Sequence, residues 1–276
     1  MNKNLELINS EINNLNILSK MNNTDEIIKR TSILIKKYPQ IQIFYNFLGS
    51  SLEKKNKIYE AELIYSKSLG FDPKNTFALV NLGRICRLIN DYQRSDELLK
   101  LALNLEPENL FAQLNYGELK IEQNNFKEAI SIFEKIYKKD ENFQNIIMRL
   151  ANTYSIIGEF KKAEEYLSLA SKKNPKLFAA DYRLSNIINY SERTNHQKLI
   201  LEKIKNKKFD NLNKHLLFFA ISKSYEDQKD YEQAFKYMEL ANKERNKLVI
   251  GNSLRYEESF LNKNKEIFQI WILKKI

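Results

Sequence analysis

The side chains best suited to metal ligation or nucleophilic attack in this 276-residue chain are two histidines, His196 and His215, and one thiol, Cys86. The histidines stand 19 residues apart and no second cysteine exists to complete a zinc set, so their spacing does not gather metal ligands. They read as surface histidines. Cys86 falls where a large residue should face a partner helix, which makes it a buried, inert thiol rather than a nucleophile. Phosphate-cradling loops need several glycines within a few residues, whereas the nearest two here are Gly70 and Gly83. Glu164 and Glu165 are adjacent on a polar helix and point in different directions, so they do not form an acid–base pair. The chain is expected to carry no catalytic set, no cofactor and no metal of its own.

Composition sets the class of scaffold. Hydrophobic residues make up 43% of the chain, enough for a sizeable core, while only 6 glycines and 4 prolines are present. That scarcity of turn formers argues against β-sandwiches, and a lone cysteine excludes a disulfide framework, leaving long helices in a reducing compartment. The N-terminus has no unbroken apolar core of signal-peptide type, so a cytoplasmic location is expected. The longest late apolar run, IFQIWIL at 267–273, falls short of the roughly 20 residues of a membrane span.

Charge is less informative. The net charge is +10, and the densest basic stretch is KLILEKIKNKKFDNLNK at 198–214. Such a run is read as a solvated face, and without an exposed platform of stacking aromatics, nucleic acid ranks last among the partners.

The strongest signal is periodic. All four prolines, Pro39, Pro73, Pro107 and Pro175, are separated by 34, 34 and 68 residues. A column of small residues keeps the same step through Gly49, Gly83, Gly117, Ala151 and Ser185, and another runs through Ala61, Ser95, Ala129 and Ala163. Two helices that cross closely need small residues where they touch, so Gly117 is expected to face Ala129. Larger residues such as Tyr45, Leu48, Leu52 and Tyr65 should fill the remaining contact. Each proline then opens the next unit, because it cannot continue the helix before it.

This pattern resembles the tetratricopeptide repeat, whose signature is W-x2-L-G-x2-Y, A-x3-F and P on a 34-residue period. Tyr45, Leu48, Gly49, Leu52, Ala61, Tyr65 and Pro73 form the best unit, followed by Leu79, Leu82, Gly83, Cys86, Ser95, Leu99 and Pro107. Tyr116, Gly117, Ala129 and Phe133 continue it with Glu141 in place of the proline; Leu150, Ala151, Tyr154, Ala163, Ala170 and Pro175 make a fourth unit. The last is Phe218, Ile221, Ser222, Tyr225, Ala234 and Ala241. The resemblance implies an all-α fold, a right-handed superhelical array of antiparallel helix hairpins. Residues 5–247 should hold about seven hairpins, and 248–276 a helical tail or linker. Two hairpins are degenerate: the first, where Ile27 takes a small-residue place, and 177–213, where Gln197 does so and about three residues are inserted.

In such arrays the first helices line the concave side, so the resemblance places ligand recognition there. Ser50, Arg84, Glu118, Asn152 and Asn186 advance by 34, with Lys223 equivalent after the insertion. One turn earlier stand Asn46, Val80, Leu114, Met148, Tyr182 and Phe219. Either these rows bind an extended peptide, through Asn46, Ser50, Arg84, Glu118, Asn152, Tyr182, Asn186 and Lys223, or the polar row covers an exposed helix while the apolar row packs between repeats. The carboxylate-clamp pattern of chaperone cofactors is not reproduced, because Glu118 follows Arg84.

Residues 215–245, followed by YEESF, are also similar to the end of the repeat region in bacterial tetratricopeptide-containing sulfotransferases. That resemblance implies a substrate-presenting arm whose catalytic domain is missing or separately encoded. The GxPRSGT-type loop that binds the sulfuryl donor in those enzymes does not occur here, so the chain itself is expected not to be an enzyme. A protein or peptide is the expected partner.

Overall fold

A computed structural model describes residues 2–191, 195–206 and 213–248 of the chain. The described residues are helical throughout and include no β-strand. They fall into two compact units that divide at Phe143 and Gln144. The first holds α1 (Asn2–Lys20), α2 (Thr24–Lys37), α3 (Gln42–Lys54), α4 (Ile58–Phe71), α5 (Thr76–Leu88), α6 (Tyr92–Leu105), α7 (Leu110–Glu122) and α8 (Phe126–Lys139). The second holds α9 (Ile146–Ile156), α10 (Phe160–Lys173), α11 (Phe178–Ser185), α12 (Asn195–Lys205), α13 (His215–Asp227) and α14 (231–248). Successive helices pair as hairpins through α10, whereas α11 packs mainly against α10 and α13. Residues 248–276, expected as a tail, lie outside the described residues from 249 onward.

Local chemistry sets the helix ends. Asn23, Asn75, Asp91 and Asn109 cap α2, α5, α6 and α7 with a side-chain oxygen that accepts a first-turn N–H. Before each proline the C-cap residue is driven off helical geometry: Tyr38, Asp72, Glu106 and Asn174 have φ of −134°, −138°, −134° and −128°. Asp140 takes the same shape at φ −150°, ψ 98° although Glu141 follows it. The lattice thus imposes this geometry even without the ring.

The turn inside each hairpin repeats just as regularly. Asn22, Asn56, Asn90 and Asn124 all sit in the left-handed region at φ between 56° and 64°, and Gly158 and Lys229 fill the corresponding place later. Around Asn90, its own N–H bonds to the Arg87 carbonyl and the Asp91 N–H to the Cys86 carbonyl, at 3.1 and 2.8 Å. These two bonds satisfy carbonyls that a helix end would otherwise leave open.

Packing between paired helices uses the small column, with one change from the expected contact. A Cβ on Gly49 would fall 2.5 Å from the Tyr65 ring and one on Gly83 2.8 Å from Leu99 Cγ; one on Gly117 would strike the Phe133 ring. The glycines therefore receive the large residue four positions beyond the alanine column, and it is Phe133, not Ala129, that Gly117 accommodates. The two small columns still meet: Ser95 Oγ donates to the Gly83 carbonyl at 2.8 Å, and Ser222 Oγ to the Ala234 carbonyl at 2.7 Å. In the first hairpin Leu15 and Ile27 replace the small residues and are buried with Leu34, Tyr38 and Phe44.

Candidate functional site

In the first unit α3, α5 and α7 carry Asn46, Ser50, Arg84 and Glu118, all half-buried. Ser50 and Arg84 belong to one polar chain. The Tyr65 hydroxyl lies 3.3 Å from Ser50 Oγ and donates to Glu53 Oε1 at 2.8 Å, while the other Glu53 oxygen pairs with Arg84. This links α3 and α4 to α5. Burial pushes the Tyr65 phenol up to about 12, with the Ser50 bond opposing, and burial followed by the charge of Arg87 lowers Arg84. Arg87 in turn pairs with Glu122 of α7 at 3.4 Å. Asn46 Oδ1 is buried and accepts no hydrogen bond.

Val80 and Leu114, of the apolar row, are buried, so at these two places that row packs inside the unit. A different row is exposed: Ile43, Phe77 and Phe111, one turn nearer the start of α3, α5 and α7 and again 34 apart. Phe111 meets the Phe143 ring edge-on at 5.0 Å and Phe77 lies 6.2 Å from the Tyr65 ring. Sequence reasoning missed these residues although the period marks them.

In the second unit Asn152 on α9 accepts a hydrogen bond from Arg183 of α11. Tyr182 lies 6.2 Å from the ring of Phe219, and Lys223 pairs with Asp227 one turn on. Asn186 is exposed but caps α11, which stops at Ser185 after 8 residues, so it does not stand on a helix face as its column suggested. None of Ser50, Arg84, Asn152 or Lys223 is an unengaged side chain.

The degenerate hairpin holds the largest departure from expectation. His196 is not a surface residue: Nδ1 lies 2.7 Å from the Tyr190 hydroxyl and Nε2 3.4 Å from Asp181 Oδ1. His215 is half-buried and meets the Phe219 ring edge-on at 6.3 Å. Lys203, in the middle of the run read as a solvated face, is buried, and its Nζ donates to Asp181 Oδ2 at 2.7 Å and to Ser171 Oγ at 3.0 Å. Ser171 donates to Asp181 Oδ1 at 2.6 Å. Burial alone would raise the Asp181 carboxyl, but the bond from His196, the charge and bond of Lys203 and the Ser171 hydroxyl together hold it below its ordinary value. Gln197, the misfit in the small column, exchanges two amide hydrogen bonds with Gln228 at 3.2 and 2.9 Å. Polar contacts thus join α12 to α10, α11 and the end of α13 where the small-residue contact is lacking.

Cys86 is fully buried, and burial pushes its thiol up to about 11, with Asp91 and Glu62 adding to the rise and Arg94 opposing it. It is protonated at neutral pH. Among the described residues no group of three or more His, Cys, Asp or Glu side chains could hold a metal ion, and no helix is long and apolar enough to cross a membrane.

Tetratricopeptide-repeat family models match residues 44–75, 78–112, 120–184 and 217–247. The chain is built of tetratricopeptide repeats. No curated protein matches it. Solved structures similar to it include a tetratricopeptide repeat protein from Parabacteroides merdae at 18% identity, covering 88% of this chain and 96% of that one with a TM-score of 0.59. Pseudomonas aeruginosa pilF is similar at 19% identity over 71% of this chain and 88% of its own, with a TM-score of 0.56. YrrB, described as a repeat protein with an unusual peptide-binding site, is similar at 16% identity over 75% and 96%, with a TM-score of 0.50. At these identities the likeness is one of fold. The family models and these structures give no support to the sulfotransferase likeness.

Proposed function

We propose that the chain is a non-catalytic scaffold that binds a protein or an extended peptide on the faces of its first helices. In the first unit the binding side chains are Asn46, Ser50, Arg84 and Glu118; in the second they are Asn152, Tyr182 and Lys223, with Asn186 at the end of α11 rather than on its face. The observation that carries this reading is the exposed row of Ile43, Phe77 and Phe111 beside the polar row of Ser50, Arg84 and Glu118. An extended peptide would set apolar side chains against the first row and its backbone amides against the second. The fold shared with YrrB is an analogy in support, not a site.

The test takes a partner recovered by pull-down and measures its affinity for variants of each face. Phe77→Ala, Phe111→Ala and Asn152→Ala should each cost more than about 1 kcal/mol if they are central contacts, whereas Tyr59→Ala on α4 and Lys172→Ala on α10 should be nearly neutral. Weakening by the second-helix changes with the first-helix changes silent would move the interface to the other surface.

A further inference from the structure

Two arginine contacts between neighbouring first helices share one spacing and differ in charge. In the first unit Arg84 of α5 pairs with Glu53 of α3, 31 positions earlier, and its positive charge is cancelled. In the second unit Arg183 of α11 reaches Asn152 of α9, again 31 positions earlier, and meets a neutral amide. Nη1 of Arg183 makes this bond. Its Nε and Nη2 groups donate to nothing among the described residues, and none of those residues supplies it with a carboxylate.

The chemistry left open at this pair is one-sided. A guanidinium only donates, so the Asn152 oxygen faces it and the Asn152 Nδ2 group turns away as a further donor. That group bonds to no other described residue. Arg183 is exposed and Asn152 half-buried, so the pair offers outward-facing N–H groups together with one uncancelled charge.

Neighbouring charges do not close it. α9 carries no acidic residue, and its Arg149, 34 positions before Arg183, is separately engaged. Asp181, the acidic residue of α11, is buried and bonded to Lys203, Ser171 and His196. On α13 Asp227 takes Lys223 and the Tyr190 N–H, while Glu226 is exposed and forms no ion pair with Arg183.

We propose that the α9–α11 face selects an acidic residue in its peptide ligand, whose side-chain carboxylate is held by the Nε–Nη2 edge of Arg183 and by Asn152 Nδ2. This rests on the reading of the first-helix faces as a peptide-binding surface and names what that surface demands of its ligand. The guanidinium edge presents two parallel donors that match the two oxygens of a carboxylate. Asn152 is also a positioning residue, because its bond to Nη1 fixes the fork before the ligand arrives and so reduces the freedom lost on binding.

The probes are fluorescein-labelled heptapeptide mixtures, amidated at the C-terminus so that side chains alone bring carboxylates. Each holds Glu, Gln or Lys at one position in turn and is degenerate elsewhere, and binding to the full chain is read by fluorescence polarisation. Wild type should favour Glu over Gln at one position by about threefold to fivefold, the range of an exposed ion pair, and the preference should shrink in high salt. Arg183→Gln should abolish the preference, and Arg183→Glu should transfer it to the Lys mixture. Asn152→Asp, which gives Arg183 the kind of partner that Glu53 gives Arg84, should abolish it as well, with the thermal midpoint unchanged or raised. Lys172→Gln on α10 should leave it intact. The proposal alone fails if the mixtures bind without a preference for Glu, or if that preference survives Arg183→Gln. It fails together with the peptide-binding reading if no mixture binds.

Discussion

Lys203 of α12 and Asp181 of α11 form an ion pair of 2.7 Å with both side chains buried, 22 positions apart in sequence. Such a pair is costly to break from one side, because the remaining charge stays buried. Asp181→Ala should destabilise the protein by about 3–5 kcal/mol, whereas Asp181→Leu with Lys203→Met should recover only part of that loss, because the Ser171 hydroxyl and the His196 ring still lack their acceptor. Urea unfolding of the three proteins checks this. The acid dependence follows from the lowered Asp181 carboxyl. The unfolded chain takes up this proton first, so the contribution is complete above about pH 4 and is lost as pH falls through the lower, folded value. The stability gap between wild type and Asp181→Asn should therefore narrow below pH 4; a gap that stays constant down to pH 2 would contradict it.

Gly117 and Gly70 are both helical yet should respond oppositely to the same substitution. A Cβ on Gly117 meets the buried Phe133 ring, which has no free side to yield toward, while one on Gly70 meets nothing within 4 Å. Gly117→Ala should destabilise by about 1–3 kcal/mol through overpacking. Gly70→Ala should stabilise by about 0.5–1 kcal/mol through the lost freedom of the unfolded chain. Thermal melts that rank the two variants the other way would refute the contact between Gly117 and Phe133.

Asn90 offers a backbone test. At φ 64° it occupies a region that a β-branched residue resists, so Asn90→Val should cost about 1–2 kcal/mol and Asn90→Gly should cost little or stabilise. Equal unfolding midpoints for the valine and glycine variants would show that the turn rearranges at no cost.

The hairpin repeat was legible because steric rules act on residue size at fixed spacing, and Gly49, Gly83 and Gly117 record those rules directly. The asparagines at 22, 56, 90 and 124 record the turn as clearly, but an asparagine in an asparagine-rich sequence attracts no notice until its φ is known. Glu141 shows the reverse: the proline column looked obligatory, and Asp140 keeps its geometry without it. The cluster around Asp181 was hidden for a physical reason. Ser171, Asp181, His196 and Lys203 come from three helices with no shared period, and each alone has the composition of a solvent-facing residue. The exposed row of Ile43, Phe77 and Phe111 was within reach, since only the choice of which turn faces outward concealed it.

The fit between each small residue and its incoming side chain also limits how the hairpins can be recombined. Tyr65 follows Gly49, Leu99 follows Gly83 and Phe133 follows Gly117 by the same sixteen positions, and each pocket is matched to a knob of different shape. A chimera cut at the asparagine turn would join one unit's socket to another unit's plug, whereas a cut beside Pro73 or Pro107 moves the two together. The natural module boundary of this chain therefore lies at the proline, and shuffled arrays assembled from proline to proline inherit intact hairpins.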